Sequence, residues 1–252
     1  MSSAGDVNGD GLSDLIIGAY GADPNGVGAA GKSYVVFGQK ENNSPIELSD
    51  IADGNGGFVI NGEAKANYSG NSVSSAGDVN GDGLADLIIG AYYADSIGEG
   101  AAGKSYVVYG QKENNSPIEV SEIADGNGGF VINGEAAGDY SGYSVSSAGD
   151  VNGDGLSDLI IGAYGADPND VDAAGRSYVI FGQKENNSPI KLSDIADGNG
   201  GFVINGESLA DYSGHSVSSG GDINGDGLAD LIIGGYLSDP NGGSSGSTYV
   251  IL

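Results

Sequence analysis

The chain has 252 residues and carries 35 Asp and Glu against 8 Lys and Arg, which gives a formal net charge of -27. Such a chain lacks the basic surface that binds phosphate backbones, and an anionic membrane would repel it, so we expect neither nucleic-acid binding nor membrane insertion. No apolar run approaches the about 20 residues that cross a bilayer. The absence of Cys excludes disulfides and thiolate metal sites.

An internal repeat organises the whole sequence. The string Ala-Gly-Asp-Val-Asn-Gly-Asp-Gly-Leu starts at Ala4 and returns at Ala76 and Ala148, and a close variant starts at Gly220, so successive units lie 72 residues apart. We therefore expect a single repeat domain over 1–252, with units 1–72, 73–144 and 145–216 and a partial unit 217–252.

Each complete unit predicts four short strands, separated by Gly, Asn, Asp and Ser. In the second unit these segments are A at 72–77, B at 87–92, C at 105–109 and D at 130–133. Segment B contains a continuous Leu-Ile-Ile run, which is typical of a strand covered on both faces. Segment A consists mostly of small residues, which suit a crowded position near an axis. Helical apolar spacing is not found over windows of about 12 residues, so the fold class is all-β.

Four strands per repeated unit predict a β-propeller of four 72-residue blades, each a sheet of four antiparallel strands. A β-solenoid would need shorter rungs. The last unit ends after segment C, so we expect 15 strands in total and a last blade that lacks its outer strand. The edge left exposed on that blade would invite pairing with another chain.

Between segments A and B every unit carries the pattern Asp-x-Asn-x-Asp-Gly-x-x-Asp. Oxygen ligands at positions 1, 3 and 5, a Gly at position 6 and a backbone carbonyl at position 7 match the first half of an EF-hand loop. A carboxylate at position 9 closes the loop early, across a hairpin. The 20 candidate metal ligands are Asp6, Asn8, Asp10, Leu12, Asp14, Asp78, Asn80, Asp82, Leu84, Asp86, Asp150, Asn152, Asp154, Leu156, Asp158, Asp222, Asn224, Asp226, Leu228 and Asp230.

These four loops predict structural calcium sites, about four Ca²⁺ per chain. The alternative is a set of ordinary Asp-Gly and Asn-Gly hairpin turns on an acidic surface. A plain turn has no use for three carboxylates within nine residues, however, and Mg²⁺ prefers to keep its own waters in strict octahedral geometry. Because the carboxylates repel one another without a metal, calcium binding should stabilise the fold.

Three motifs in each unit resemble the FG-GAP repeats of integrin α subunits. Tyr-Ser-Gly at Tyr68 and its copies stands near the family's Phe-Gly, the Asp-rich loop follows, and Gly-Ala-Tyr at Gly18 and its copies stands where the family often has Gly-Ala-Pro. The resemblance implies a calcium-stabilised propeller, usually of seven blades, in an extracellular or cell-surface adhesion protein, with the ligand on the face opposite the metal loops. With four units, two rings stay open as interpretations: four blades that close alone, or two chains that make a larger ring as a homodimer through the last blade.

The ligand face should carry the B to C loops and the D to A loops, because neighbouring strands alternate in direction. The copies of the unit differ mostly in these loops, for example at 21–31, 93–103 and 165–175. Drift in loops without function explains such variation equally well. Tyr20, Tyr92, Tyr164 and Tyr236 either stack on a sugar or partner side chain or pack between blades.

No catalytic constellation is expected. His215 is the only His, and the equivalent positions in other units are Asn71 and Tyr143. A Ser-His-Asp arrangement therefore cannot recur with the repeat. The resemblance to integrin α repeats implies an extracellular binding or adhesion module with a protein or glycan ligand. A carbohydrate-binding lectin and a purely structural repeat segment are the alternatives.

Overall fold

The computed structural model describes residues 1–41, 44–95, 98, 100–112, 115–184 and 187–252. In these ranges the chain is all-β, with four sheets that correspond to the four sequence units. The strands are β1 (Ser2–Gly5), β2 (Asp14–Ala19), β3 (Lys32–Val36), β4 (Gly57–Asn61), β5 (Ser72–Gly77), β6 (Asp86–Ala91), β7 (Lys104–Val108), β8 (Ile118–Glu119), β9 (Gly129–Asn133), β10 (Ser144–Gly149), β11 (Asp158–Ala163), β12 (Arg176–Ile180), β13 (Ile190–Lys191), β14 (Gly201–Asn205), β15 (Ser213–Gly221), β16 (Asp230–Gly235) and β17 (Ser247–Ile251).

Within each sheet, consecutive long strands pair antiparallel. Sheet 1 contains β1 to β4, sheet 2 contains β5, β6, β7 and β9, sheet 3 contains β10, β11, β12 and β14, and sheet 4 contains β15, β16 and β17. The four predicted segments of the second unit coincide with strands to within one residue at each end. Among the described residues no strand pairs with the second edge of β17, which agrees with the expected three strands in the last unit.

The structure adds a fifth strand to sheets 1 and 2, which were expected to have four. β8 pairs parallel with β4, and β13 pairs parallel with β9. Each of these two-residue strands belongs to the C to D connector of the following unit. A side-chain hydrogen bond supports the first pairing, because the Asn61 amide donates to Glu119 Oε1 at 2.7 Å. The connectors of units 2 and 3 therefore link sheets 2 and 3 to the sheets that precede them.

The same connectors contain short helices that the sequence patterns did not predict. These are α1 (Leu48–Ala52), α2 (Val120–Ala124) and α3 (Leu192–Ala196). Each is a single turn, too short to repeat an apolar spacing, and each buries one Ile near its end: Ile51, Ile123 and Ile195. Over the described ranges, no helix has the length and apolar character needed to cross a membrane.

Successive sheets pack face to face through the second strand of each unit. In β6, Leu87 and Ile89 belong to an apolar cluster shared with sheet 1, whereas Ile88 belongs to the cluster shared with sheet 3. All six residues of β6 are buried. This alternation confirms the prediction that segment B is covered on both faces, and it accounts for the lack of polar alternation in its sequence.

Candidate functional site

The Asp-rich loops join the first two strands of every sheet, and each loop folds around its first carboxylate. In the second loop, Asp78 Oδ1 accepts the N–H groups of Gly81 at 2.7 Å and Asp82 at 3.1 Å, and Oδ2 accepts that of Gly83 at 2.9 Å. Asp82 Oδ1 accepts the Leu84 N–H at 2.8 Å. Equivalent bonds form in the other three loops, so the four loops share one conformation.

The carboxylate at loop position 9 is the buried end of the loop. Asp86 is fully buried, and its two oxygens accept the N–H groups of Val79 and Gly110, each at 2.9 Å. Burial nevertheless raises the pKa of Asp86 to about 7, although these hydrogen bonds lower it. Burial likewise raises the pKa of Asp14 and Asp158. A cation beside such a carboxylate would favour its charged form.

The fourth loop differs from the first three at this position. Asp230 Oδ2 accepts both the Ile223 N–H at 2.6 Å and the Asn224 N–H at 3.2 Å. Its Oδ1 is approached by the Asn224 side-chain amide at 3.4 Å rather than by a backbone N–H of a following connector. Ile223 is 53% exposed, whereas the equivalent Val79 is 1% exposed. The fourth loop is therefore the most open of the set.

The chemistry of the donor set fits calcium. Each loop presents three carboxylates, one Asn amide oxygen and a Leu carbonyl, all hard oxygen donors. In the described part of the chain, no N–H donates to the carbonyls of Leu12, Leu84, Leu156 or Leu228. In that same part, no three Asp, Glu or His side chains lie close enough together to hold a metal ion as they stand. The carboxylates at positions 1 and 5 accept N–H groups of their own loops.

A continuous row of aromatic rings lies at the other ends of the strands. β2 begins at Asp14, next to its loop, and ends just before Tyr20. Tyr68 stacks on Tyr92 at 5.9 Å between ring centroids, and Tyr140 stacks on Tyr164 at 5.3 Å. We call this set the tyrosine row; its members are Tyr20, Tyr68, Tyr92, Tyr93, Tyr140, Tyr143, Tyr164, Tyr212, His215 and Tyr236.

Seven of the ten rings come from two positions of the repeat, and the other three come from neighbouring positions. One ring follows the second strand of each sheet, and the other precedes the first strand of the next sheet. Tyr68, Tyr140 and Tyr212, at the second position, have left-handed backbones with φ of 53°, 54° and 52°. Bulky residues seldom adopt that conformation, and here the N–H of each is fixed by a hydrogen bond to an Ala carbonyl in the B to C loop of the same unit.

The structure confirms that the repeated Tyr rings pack between sheets, whereas their stacking on a ligand stays a prediction. The rings pack against one another between sheets, but Tyr20, Tyr93 and Tyr236 remain 53%, 47% and 49% exposed. The contribution of Tyr68, Tyr140 and Tyr212 was missed, although an aromatic residue before segment A of the second, third and fourth units was the available signal. His215 packs on Tyr236 at 4.3 Å, and burial lowers the pKa of its imidazole. In the second B to C loop, residues 96, 97 and 99 lie outside the described residues.

The sequence profile of the FG-GAP repeat matches the chain four times, at residues 2–36, 69–108, 141–180 and 213–251. The chain belongs to the FG-GAP repeat family. Each FG-GAP match covers the first three strands of a unit, including the Asp-rich loop and the Gly-Ala-Tyr motif, or Gly-Gly-Tyr in the last unit. The resemblance inferred from the motifs is thereby confirmed, and the remaining connectors lie between the FG-GAP repeats.

The FG-GAP units are similar to those of integrin α subunits. Integrin alpha pat-2 of Caenorhabditis elegans is 28% identical over 239 residues, which cover 94% of this chain and 18% of the relative. Integrin alpha-5 of Xenopus laevis is 32% identical over 187 residues, covering 72% of this chain and 16% of the relative. Phosphatidylinositol-glycan-specific phospholipase D of Rattus norvegicus is 29% identical over 226 residues, which cover 86% of this chain and 24% of the relative. The chain thus spans less than a quarter of the length of each of these relatives.

Proposed function

We propose that this chain is a calcium-stabilised β-propeller module that binds a macromolecular partner outside the cell. The observation that carries the proposal is that the Asp-rich loop, with each of its acidic positions filled, is present in all four FG-GAP units. Similarity to integrin α subunits supports an extracellular, adhesion-type role. The same similarity supports a role as a binding module rather than an enzyme, although one relative is a phospholipase D.

The proposed calcium ligands are the 20 loop residues named above, with one Ca²⁺ per loop. Asp and Asn side chains at positions 1, 3 and 5, the Leu carbonyl at position 7 and the buried Asp at position 9 would hold the ion. Calcium would supply positive charge to carboxylates that otherwise repel one another. Its role here is structural, since the loops tie the first two strands of every sheet together.

A propeller arrangement is supported by the packing of the sheets. The sheets stack in chain order through their second strands, and the connectors of units 2 and 3 each pair with the preceding sheet. We propose that residues 1–252 act as one repeat domain. The number of blades in the ring, whether four or more with a second chain paired at β17, can be read from the mass of the protein in solution.

The proposed ligand face is the tyrosine row. Rigid, half-exposed aromatic rings supply contact area at low entropic cost, and a row that runs over four sheets offers a broad surface. Similarity to integrin α subunits favours a protein ligand. The exposed rings also favour the second candidate, a lectin, because aromatic faces stack on the apolar faces of sugars.

The double variant Tyr93→Ala and Tyr236→Ala should lose ligand binding. Both rings are about half exposed, and truncating aromatic anchors typically weakens an interface by about 2 kcal/mol or more, so we expect at least a roughly tenfold loss. Binding is measured on arrays of extracellular proteins and of glycans, which also separates the two candidate ligand classes.

The matched control for this pair is Ile223→Ala, because Ile223 is similarly exposed but lies in the fourth Asp-rich loop, at the other ends of the strands. This control should bind like the wild type. Equal loss of binding in the control and in the double variant would contradict the assignment of the ligand face.

A further inference from the structure

Neighbouring Asp-rich loops are joined directly by backbone hydrogen bonds. The residue at position 8 of one loop donates its N–H to the carbonyl oxygen of the position 1 Asp in the preceding loop. Ala85 donates to Asp6 at 3.0 Å, Ser157 donates to Asp78 at 3.0 Å, and Ala229 donates to Asp150 at 2.9 Å. The four loops therefore form one chain of contacts across the four sheets.

The donated N–H belongs to the same peptide group as a proposed calcium ligand. The N–H of Ala85 and the carbonyl of Leu84, at loop position 7, are the two ends of one planar unit. A hydrogen bond that fixes the N–H therefore also fixes the direction of the carbonyl. The same holds for the Leu156 and Leu228 carbonyls in the third and fourth loops. Among the described residues, no backbone acceptor is found for the equivalent N–H of Ser13 in the first loop.

The loops also touch without free space between them. A Cβ placed on Gly5 would lie 2.5 Å from Cβ of Ala85, and one placed on Gly149 would lie 2.6 Å from Cβ of Ala229. A Cβ placed on the equivalent Gly221, the last residue of β15, would meet no neighbouring atom within 4 Å. A side chain at either of the first two Gly positions would push the next loop away and lengthen the hydrogen bond.

We infer that the position 8 residues Ala85, Ser157 and Ala229 are positioning residues that couple neighbouring calcium sites. The inference rests on the proposed calcium binding. Each of these residues aims the Leu carbonyl of its own loop by anchoring the peptide to the preceding loop. A cation at that carbonyl polarises the peptide and strengthens its N–H as a donor to the preceding loop, and this coupling acts equally in both directions. The first loop lacks this hydrogen bond to a preceding loop, so the direction of its Leu12 carbonyl is the least constrained of the four.

The test uses Ala85→Pro, which removes the N–H, and Ser13→Pro as its matched control at the same loop position. Both substitutions restrict the preceding Leu in the same way. Calcium stoichiometry and affinity are measured on the intact chain by competition with a chelating dye. Loss of a residue that orients a metal ligand typically lowers affinity by about 10–100-fold. We expect a loss of at least about tenfold at the second site in Ala85→Pro, a Hill coefficient above 1 in the wild type, and a lower coefficient in the variant.

The second comparison leaves the peptide N–H in place. Gly5→Ala and Gly221→Ala impose similar left-handed strain, with φ of 75° and 69°, but only Gly5→Ala pushes against a neighbouring loop. Gly5→Ala should weaken calcium binding and lower the Hill coefficient, and Gly221→Ala should leave the Hill coefficient unchanged. If a Pro variant fails to fold, this pair still tests whether contact between neighbouring loops couples their calcium sites.

Three results would count against the inference. Equal effects in the members of each pair, or a Hill coefficient of 1 in the wild type, would overturn the coupling while leaving calcium binding intact. A wild-type chain that binds no calcium would overturn both the coupling and the proposed function. The stoichiometry of the wild type therefore separates the two failures.

Discussion

Replacing Gly90 with Ala will destabilise the fold by about 3 kcal/mol, because the new methyl group has no room. A Cβ on Gly90 would overlap the carbonyl oxygen of Gly142. Gly142 cannot move aside, since its N–H donates to the carbonyl of Gly162 in the next sheet at 3.1 Å. The free energy of unfolding, measured by urea denaturation, should fall accordingly.

Gly234→Ala is the matched control for this experiment. Gly234 occupies the same position in the last unit, but the nearest atom to an added Cβ is the Ser216 hydroxyl, which can rotate away. The control should lose about 1 kcal/mol or less. A Gly90→Ala variant as stable as Gly234→Ala would show that the turn at Gly142 is not held between the two sheets. The same contact explains the Gly of the Gly-Ala-Tyr motif.

Asp86→Asn will remove about 3 kcal/mol of stability in the presence of Ca²⁺ but little in EDTA. Without the metal two effects oppose each other: the Asn loses one acceptor for the N–H groups of Val79 and Gly110, but it also removes a buried charge. Burial raises the pKa of Asp86 to about 7, so its charged form opposes folding at neutral pH, and removing that charge offsets the lost acceptor. With calcium at about 100 times its dissociation constant, the loss of one site removes about 2.7 kcal/mol.

The control for Asp86→Asn is Asp170→Asn, which makes the same chemical change at an exposed residue outside the Asp-rich loops. The free energy of unfolding of both variants is measured by urea denaturation, once with calcium and once with EDTA. The stabilisation by calcium, which is the free energy of unfolding with calcium minus that with EDTA, should decrease for Asp86→Asn and stay at the wild-type value for Asp170→Asn. If Asp86→Asn loses the same stability in both conditions, position 9 is not a calcium ligand.

Much of the fold could be predicted because it follows from local patterns that recur at a fixed period. The small residues of β5 and the Leu-Ile-Ile run of β6 specify strands and their burial. The parallel strands β8 and β13 could not be predicted in this way. Each has two residues and pairs with the sheet of the preceding unit, so it is too short to show an alternating pattern in the sequence.

The site was predictable in its chemistry and less so in its geometry. The Asp, Asn and Gly residues of the loops indicate a calcium site from their types and spacing alone. The hydrogen bond between Ala85 and Asp6 was not predictable, because it joins two units through backbone atoms and leaves no mark on side-chain identity. In the tyrosine row, the rings that follow each second strand were named from the sequence, whereas the contribution of Tyr68, Tyr140 and Tyr212 was missed because these rings come from a distant position of the repeat.

The central claim, that four calcium ions stabilise the fold, is tested most directly by thermal unfolding of the EDTA-stripped chain, followed by circular dichroism. Four sites filled at about 100 times their dissociation constants contribute roughly 11 kcal/mol in total, which corresponds to a rise of about 20 °C or more in the midpoint. We predict this rise with millimolar Ca²⁺ and a much smaller one with Mg²⁺. A midpoint that neither ion moves would contradict the claim and would leave the loops as acidic turns.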